Sequence, residues 1–229
     1  LQKHGKSSVN VGDEGGFAPQ LGSAEAALSL LESAVAATGY KGRVKFAIDA
    51  AASEFYYSKI RRYEAASGKM LAADEMVDFY SRLAKDFPIV SIEDPFEQES
   101  FSAFAELTQK LAMTNVQVVG DDLLCTNVSR IREAIGKNSC NCLLLKVNQI
   151  GTLSEAVAAS NLAMQDGWRV MVSHRSGETE DTFIADLAVA LGCGQIKSGA
   201  PARSERTAKY NRLLRIEEEL GGKSQYGQL

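Results

Sequence analysis

The chain has 229 residues, of which 45% are hydrophobic and 24% charged, and this composition excludes disordered and fibrous proteins. The formal net charge of −4 argues against a surface that binds nucleic acid or anionic membrane. No apolar run approaches the ~18 residues that a membrane-spanning helix needs. We therefore expect a globular protein with neither nucleic acid nor membrane as its partner.

Short apolar runs rich in β-branched residues recur along the chain and predict strands over residues 44–48, 89–92, 116–119, 142–145, 170–172 and 195–196. Helix-like segments between most of them cover residues 23–38, 74–87, 152–166, 178–191 and 203–220. The segment 152–166 opens with a capping box formed by Thr152 and Glu155. This alternation predicts a parallel sheet with helices packed against it, and the polar stretch 56–73 is interpreted as an insertion.

Each predicted strand ends in polar or ionisable residues: Asp49, then Glu93 and Asp94, Asp121 and Asp122, Lys146, the Ser173–Arg175 run, and Lys197. From Glu93 onward, successive ends lie 23 to 28 residues apart, which is the length of one βα unit. A doubly wound open sheet and a (β/α) barrel both fit the alternation. A barrel brings all carboxyl ends of its strands to one face, whereas an open sheet brings together only those near its switch point. The strand ends therefore favour the barrel.

Three of these strand-end residues predict a metal site. Asp49, Glu93 and Asp121 converge at one rim of such a barrel, and three ionised carboxylates need a compensating cation there. Oxygen ligands without histidine or cysteine favour Mg²⁺ or Mn²⁺ over zinc. For any one acid taken alone, a solvated loop or a helix cap is the alternative.

Two lysines and one glutamate are candidates for chemistry at the same rim. Lys146 follows an apolar strand and is predicted to act as a base beside the metal, with a salt bridge to one of the acids as the alternative. Lys197 is expected either to hold an anionic substrate group or to pair with an acid. Glu14 lies in a glycine-flanked loop and is a candidate acid or base, although the same residues also suit a plain turn.

The segment 173–177 (Ser-His-Arg-Ser-Gly) leads into the helix predicted from Glu178. An arginine, serine hydroxyls and a helix N-terminus together favour phosphate binding. A divalent cation, a lysine base, a carboxylic acid and a phosphate cradle suit one reaction type. It is the removal of a proton next to a carboxylate, with the metal stabilising the enolate.

Four cysteines occur in the chain: Cys125, Cys140, Cys142 and Cys193. A chain of this length builds its core without disulfides, and the spacing does not suggest a disulfide framework. We expect free thiols in a reducing compartment, and hence a cytoplasmic protein.

Eight segments resemble motifs of the enolase family in that family's order and spacing. They are residues 10–19 (NVGDEGGFAP), 47–55 (AIDAAASEF), 88–96 (PIVSIEDPF), 119–127 (VGDDLLCTN), 143–152 (LLLKVNQIGT), 172–181 (VSHRSGETED), 195–203 (QIKSGAPAR) and 209–220 (KYNRLLRIEEEL). Ser198 stands where the family usually has threonine. The resemblance implies a TIM-type (β/α)8 barrel, with residues 1–229 forming a partial C-terminal catalytic barrel domain. The expectation is that the N-terminal capping domain and the first barrel strand are absent.

The resemblance also implies a lyase, phosphopyruvate hydratase, that dehydrates 2-phosphoglycerate reversibly to phosphoenolpyruvate in glycolysis and gluconeogenesis. It implies that the Mg²⁺ ligands beside the substrate are Asp49, Glu93 and Asp121. Lys146 would be the base at C2, and Glu14 would be part of the acid at the C3 hydroxyl. The substrate-binding loop would consist of His174, Arg175 and Ser176, and Lys197 would contact the substrate carboxylate. A homodimer is implied as well. The alternative is an inactive fragment with a binding or structural role.

Overall fold

The computed structural model describes residues 5–65 and 68–227. The strands are β1 (Phe46–Asp49), β2 (Tyr56–Tyr57), β3 (Arg62–Glu64), β4 (Met70–Leu71), β5 (Ile89–Glu93), β6 (Gln117–Gly120), β7 (Cys142–Leu145), β8 (Arg169–Ser173) and β9 (Ile196–Lys197). The α-helices are α1 (Ala24–Ala37), α2 (Ala73–Asp86), α3 (Phe101–Leu111), α4 (Val128–Lys137), α5 (Val147–Ile150), α6 (Leu153–Gln165), α7 (Phe183–Ala190) and α8 (Ser204–Leu220). Short 3₁₀ turns cover Lys6–Val9, Ala52–Phe55 and Gly221–Lys223.

Six strands form one parallel sheet in the order β1-β5-β6-β7-β8-β9. The register aligns the strand ends, with Asp49 beside Glu93 and Ser173 beside Lys197. In a flat sheet, spacings of ~4.8 Å would separate the two outer strands by about 24 Å. Instead, Lys197 Nζ on β9 lies 2.5 Å from Asp49 Oδ2 on β1. The sheet is therefore curled into a partial barrel, which confirms the prediction of a barrel over an open doubly wound sheet.

The concave side of the sheet is filled by side chains. Val119, Cys142 and Leu144 form a small, fully buried cluster there. Near the amino ends of the strands, Gln117 Nε2 donates to Gln195 Oε1 at 2.8 Å, which links β6 to the residue before β9. The Gln117–Gln195 bond joins parts of the sheet that are not neighbours, so it helps to hold the curl in place.

The helices pack on the convex side and bury an apolar face. In α2 the buried positions are Met76, Val77, Tyr80 and Leu83, which recur at helical spacing. Phe96, which follows β5, meets Tyr80 and Phe104 edge to face, with ring centroids 6.0 Å and 5.5 Å apart. This aromatic cluster fixes the segment that follows Glu93 and thereby the start of one site loop.

The insertion predicted over residues 56–73 forms a small antiparallel sheet in the order β2-β3-β4. Tyr63 on β3 is buried, and its hydroxyl accepts a hydrogen bond from the Glu97 backbone N–H at 3.1 Å. The insertion is therefore packed against the loop that follows Glu93. Its two- and three-residue strands are too short to produce an alternating pattern, which explains why the sequence did not predict them.

One predicted helix begins later than expected, and three helices were not predicted. The helix expected over 178–191 starts at Phe183, because Glu178 is used as a hydrogen-bond acceptor within the preceding loop. The unpredicted helices are α3, α4 and the single-turn α5. Thr152 caps α6 as predicted, since its Oγ1 accepts a hydrogen bond from Glu155 N at 3.2 Å.

Within residues 5–65 and 68–227, all four cysteines are free, and Cys140 and Cys142 are buried. Burial raises the pKa of both of these thiols. Among the same residues, no helix combines the length and the apolar character needed to cross a membrane.

Replacing Phe104 by alanine in the native protein should lower the free energy of unfolding by about 3–5 kcal/mol, because it opens a cavity in the aromatic cluster. Phe104 on α3 is 0% exposed, whereas Met113, two residues after the end of α3, is 97% exposed. Met113→Ala is therefore the control and should stay within about 0.5 kcal/mol of the parent. Urea unfolding measures both, and equal effects of the two changes would contradict the packing described here.

Candidate active site

A cavity of about 530 Å³ lies at the carboxyl ends of the parallel strands. Eight of the nine predicted site residues line it: Glu14, Asp49, Asp121, Lys146, His174, Arg175, Ser176 and Lys197. Glu93 lies beneath it, with Oε1 at 2.8 Å from Lys197 Nζ. Six residues that were not predicted also line it: Ala51, Glu54, Asp94, Asp122, Asn148 and Gly177. Asp94 and Asp122 stand directly after Glu93 and Asp121 at the strand ends, so the pattern of an acid after an apolar run pointed to them as well.

Lys197 bridges the first two strands of the sheet. Its Nζ lies 2.5 Å from Asp49 Oδ2 and 2.8 Å from Glu93 Oε1. Burial raises the pKa of Glu93 to about 8, with Asp49 and Asp121 adding to the rise and Lys197 opposing it. Burial opposes the charge on Lys197 too, but Glu93 and Asp49 hold its pKa above the usual value. Of the two predicted contacts of Lys197, the structure shows the pairing with acids.

Lys146 forms an ion pair with Asp121 Oδ2, and both side chains are largely buried. Gln149 Nε2 donates to the other oxygen of Asp121 at 2.9 Å. Thr126 Oγ1 accepts from the Lys146 backbone N–H at 3.0 Å and donates to Gln149 Oε1 at 3.0 Å. Asp121 is thus oriented through both of its oxygens, one of them by a side chain that was not predicted.

Asp94 shapes the turn that carries Asp121 and Asp122. Its two carboxylate oxygens accept the backbone N–H groups of Asp121 at 2.9 Å and of Asp122 at 2.8 Å. Burial raises the pKa of Asp94 to about 7; those two hydrogen bonds oppose the rise, and the neighbouring Asp121 and Asp122 add to it. One oxygen from each of the three acids lies within 4.8 Å of the others, so these acids could hold a metal. Among the described residues, the three predicted ligands Asp49, Glu93 and Asp121 do not come this close together. The two carboxylate groupings share Asp121.

The loop around Glu14 reaches the opposite wall of the cavity. Ser176 Oγ donates to Glu14 Oε1 at 2.9 Å, and His174 Nε2 lies 3.3 Å from Glu14 Oε2. The Glu14 carbonyl accepts the Ala200 N–H at 2.9 Å. Gly199 has φ of +77° there, and a Cβ at that position would lie 2.7 Å from the Glu14 carbonyl oxygen. Only glycine permits this approach, which brings the Glu14 loop against the loop after β9.

The loop after β8 is held by hydrogen bonds instead of leading directly into a helix. Glu178 Oε1 accepts the Arg175 N–H at 3.2 Å, and its Oε2 accepts the Thr179 N–H at 3.0 Å. Lys209 Nζ on α8 lies 2.9 Å from the same Oε2. The expected helix N-terminus is therefore not next to Ser176, and the predicted phosphate contacts depend on the Arg175 and Ser176 side chains.

The charges around the cavity fit a divalent cation. Six carboxylates line it, against three cationic side chains, and Glu93 adds a further acid beneath. The acids offer hard oxygen donors, and on both sides of the site a single ammonium group already lies within reach of them. A cation held by Asp49, Glu93 and Asp121 would take over oxygens that Lys146 and Lys197 contact. The residues present therefore fit the implied metal.

The family model described as "Enolase, C-terminal TIM barrel domain" matches residues 1–228. The chain is 59% identical over 221 residues to a protein named enolase from Methanocaldococcus jannaschii, covering 96% of the chain and 51% of that protein. It is 54% identical to enolase of Eimeria tenella, with coverages of 98% and 52%. It is 55% identical to enolase of Methanopyrus kandleri, with coverages of 99% and 53%.

The chain thus spans about half the length of these curated relatives. The match runs through every strand of the parallel sheet and through every side chain described at the cavity. The family's barrel domain agrees with the curled parallel sheet and its outer helices. On these grounds the chain belongs to the enolase family and corresponds to its C-terminal TIM barrel domain.

Proposed function

We propose that the native protein containing this chain is a phosphopyruvate hydratase that dehydrates 2-phosphoglycerate reversibly to phosphoenolpyruvate, with Mg²⁺ as its cofactor. The pathway served would be glycolysis and gluconeogenesis, in the cytoplasm and as a homodimer. Residues 1–229 would form its C-terminal catalytic barrel domain. The relatives named enolase support the general activity, and the site supports the finer assignments.

The observation that carries the proposal is the charge pattern of the cavity. A substrate with a phosphate and a carboxylate is repelled by walls that hold six acids against three cations, unless further positive charge accompanies it. Binding of such a substrate to this set of residues would therefore depend on a divalent cation. The same cavity is lined by Lys146 and Glu14, the two side chains proposed to transfer protons at the substrate.

The residues divide into those that transfer protons and those that hold substrate. Lys146 takes the proton from C2, and it stands among buried side chains that exclude water from its stem. Glu14 assists departure of the C3 hydroxyl, with its carboxyl oriented by the Ser176 hydroxyl at 2.9 Å. Arg175 and Ser176 hold the phosphate, and Lys197 holds the carboxylate after exchanging one of its acid partners for the substrate.

Asp49, Glu93 and Asp121 would hold the metal. When bound, the metal supplies positive charge that stabilises the enolate form of the substrate carboxylate. We prefer this set to the grouping of Asp94, Asp121 and Asp122, because both oxygens of Asp94 already accept backbone N–H groups. Asp94 instead keeps Asp121 turned toward the cavity. His174 contacts Glu14 and completes the substrate-binding loop.

A direct assay of phosphoenolpyruvate formation tests the function. The native protein with 2-phosphoglycerate and Mg²⁺ is expected to accumulate phosphoenolpyruvate, seen by its absorbance and by ³¹P NMR, and a chelator should stop the reaction. Glu14→Gln keeps the shape of the side chain and should lower kcat on the order of 10²-fold or more, since it removes the acid. Absence of product with the unaltered protein, or turnover that persists with the chelator, would refute the proposal.

A non-catalytic binding or structural role is the second candidate. No observation favours it, because each of the nine side chains expected for the reaction between residues 14 and 197 either lines the cavity or lies directly beneath it. A protein that only binds a partner has no need for two lysines embedded among converging carboxylates. The same phosphoenolpyruvate assay separates the two candidates.

A further inference from the structure

A buried arginine on α8 ties together two of the loops that form the cavity. Arg206 is 1% exposed, although it lies on a helix rich in charged residues. Its Nη1 donates to the Arg175 carbonyl at 2.7 Å, and its Nη2 donates to the Ser176 carbonyl at 2.7 Å. Nη2 also donates to the Asp13 carbonyl at 3.0 Å. One guanidinium therefore joins the loop of Glu14 to the loop after β8.

The same guanidinium determines which nitrogen of His174 carries the hydrogen. Arg206 Nη1 lies 2.6 Å from His174 Nδ1, and both side chains are buried. A guanidinium offers only donors and stays protonated in proteins, so His174 Nδ1 has to be the acceptor in this contact. A hydrogen on Nδ1 would place two donors against each other without water to separate them. The single hydrogen of the neutral ring is therefore on Nε2.

The Nε2 side of His174 faces the candidate acid. Nε2 lies 3.3 Å from Glu14 Oε2 without the alignment of a hydrogen bond, and among the described residues this buried nitrogen has no other hydrogen-bond partner. Ser176 Oγ donates to the other oxygen of the same carboxyl. The Glu14 carboxyl is thus flanked by two donors, and Arg206 determines the placement of both.

We propose that Arg206 is a positioning residue that holds the Glu14 loop against the loop after β8 and fixes His174 as the neutral tautomer with its hydrogen on Nε2. In this form His174 presents a donor to the Glu14 carboxyl. The tautomer follows from the geometry of the site alone. Its consequence for catalysis, a Glu14 carboxyl held in one orientation, rests on the proposed function.

The surroundings of His174 favour the neutral ring. Burial lowers the pKa of His174, and the positive charges of Arg206 and Lys197 lower it further. Glu14 and Glu178 act in the opposite direction and only in part offset this. The charged groups around the ring therefore agree with the tautomer that the contact to Arg206 requires.

The native protein labelled with ¹⁵N-histidine provides the test, because ¹⁵N NMR distinguishes a ring nitrogen that carries hydrogen from one that does not. His174 is assigned by the loss of its signals in His174→Gln. We expect Nδ1 without hydrogen and Nε2 with hydrogen near neutral pH. A hydrogen on Nδ1 in the unaltered protein would overturn the proposal, and this outcome does not depend on any variant or on activity.

Variants at position 206 separate positioning from general stability. In Arg206→Met the donor is gone, so the His174 signals should move toward a mixture of the two tautomers and kcat should fall on the order of 10- to 100-fold with a smaller change in KM. Arg206→Lys restores one donor but not the fork. The lysine variant should keep the Nε2–H tautomer while losing part of the activity. It replaces Arg206→Met as the test variant if that protein does not fold.

Lys209→Met is the matched control. Lys209 lies one helical turn further along α8 and is also 1% exposed, but it binds Glu178 and carbonyl oxygens, with no contact to His174. Its loss should lower stability and leave the ¹⁵N signals of His174 in place. Unchanged His174 signals in a folded Arg206→Met protein would refute the proposal. Failure of the native protein to form phosphoenolpyruvate would instead count against the proposed function and leave the tautomer result standing.

Discussion

Replacing Lys146 by alanine in the native protein is expected to abolish exchange of the C2 proton of 2-phosphoglycerate with solvent. The proposed proton acceptor is the deprotonated amine of Lys146, which becomes an ammonium group when it takes the proton, and general base catalysis contributes about 10²–10⁴-fold. The same change removes the cationic partner of Asp121. Metal binding should therefore be kept or strengthened, because the carboxylate is then free for a divalent ion. Isotope exchange at C2, followed by ¹H NMR in deuterated water, measures the first effect, and calorimetry with Mg²⁺ measures the second.

Lys137→Ala controls for the loss of a lysine as such. Lys137 is exposed on α4, pairs with Glu133 one turn earlier and does not line the cavity. It should leave proton exchange unchanged. Exchange at the parent rate in Lys146→Ala would remove Lys146 from the role of base. A joint loss of exchange and metal binding would mean that Lys146 chiefly supports the fold of the site.

Asp49→Asn is expected to weaken Mg²⁺ binding on the order of 100-fold or more and to abolish turnover at moderate Mg²⁺ concentrations. The asparagine keeps the shape but loses the charge of a proposed ligand, and even outer-shell partners of metal ligands typically contribute 10–100-fold in affinity. In addition, Lys197 then has one acid partner fewer, so it pairs more closely with Glu93 and competes with the metal there. Calorimetric titration with Mg²⁺ gives the affinity directly.

Asp122→Asn is the control for this experiment and also decides between the two carboxylate groupings. Asp122 belongs only to the group that contains Asp94, and it lines the same cavity as Asp49. Under the proposed ligand set, its loss should change Mg²⁺ affinity by a small factor that reflects net charge alone. A larger effect from Asp122→Asn than from Asp49→Asn would transfer the metal to the grouping of Asp94, Asp121 and Asp122.

The architecture was predictable because buried parallel strands have a recognisable sequence pattern. Runs such as residues 142–145 are apolar at every position, since both faces are buried, and each ends abruptly in a polar residue. That abrupt change located Asp49, Glu93, Asp121, Lys146 and Lys197 from the sequence, and the structure brings them to one end of the sheet.

The supporting residues were not predictable in the same way. Arg206 and Lys209 lie on α8 in the run Ser-Glu-Arg-Thr-Ala-Lys, which has the pattern of a solvent-exposed helix, yet both are buried. Their burial depends on carbonyl oxygens from Asp13 and the loop after β8, about 30 to 190 residues away. Gln149 likewise lies in a single short turn and gains its role only through Asp121. Such contacts arise from tertiary packing and leave no local pattern.

The contact of Lys197 with Asp49 and Glu93 also bears on the order in which this chain folds. Lys197 and Asp49 are 148 residues apart, whereas neighbouring strands of the sheet are joined by a single βα unit. Closing a loop of that length directly costs about 4 kcal/mol in chain entropy beyond a constant. The pairing of the intermediate strands removes most of that cost, so the contact forms after them. A chain whose core strands are paired and whose helices are docked still lacks the contact of Lys197 with Asp49 and Glu93, so this wall of the cavity closes last.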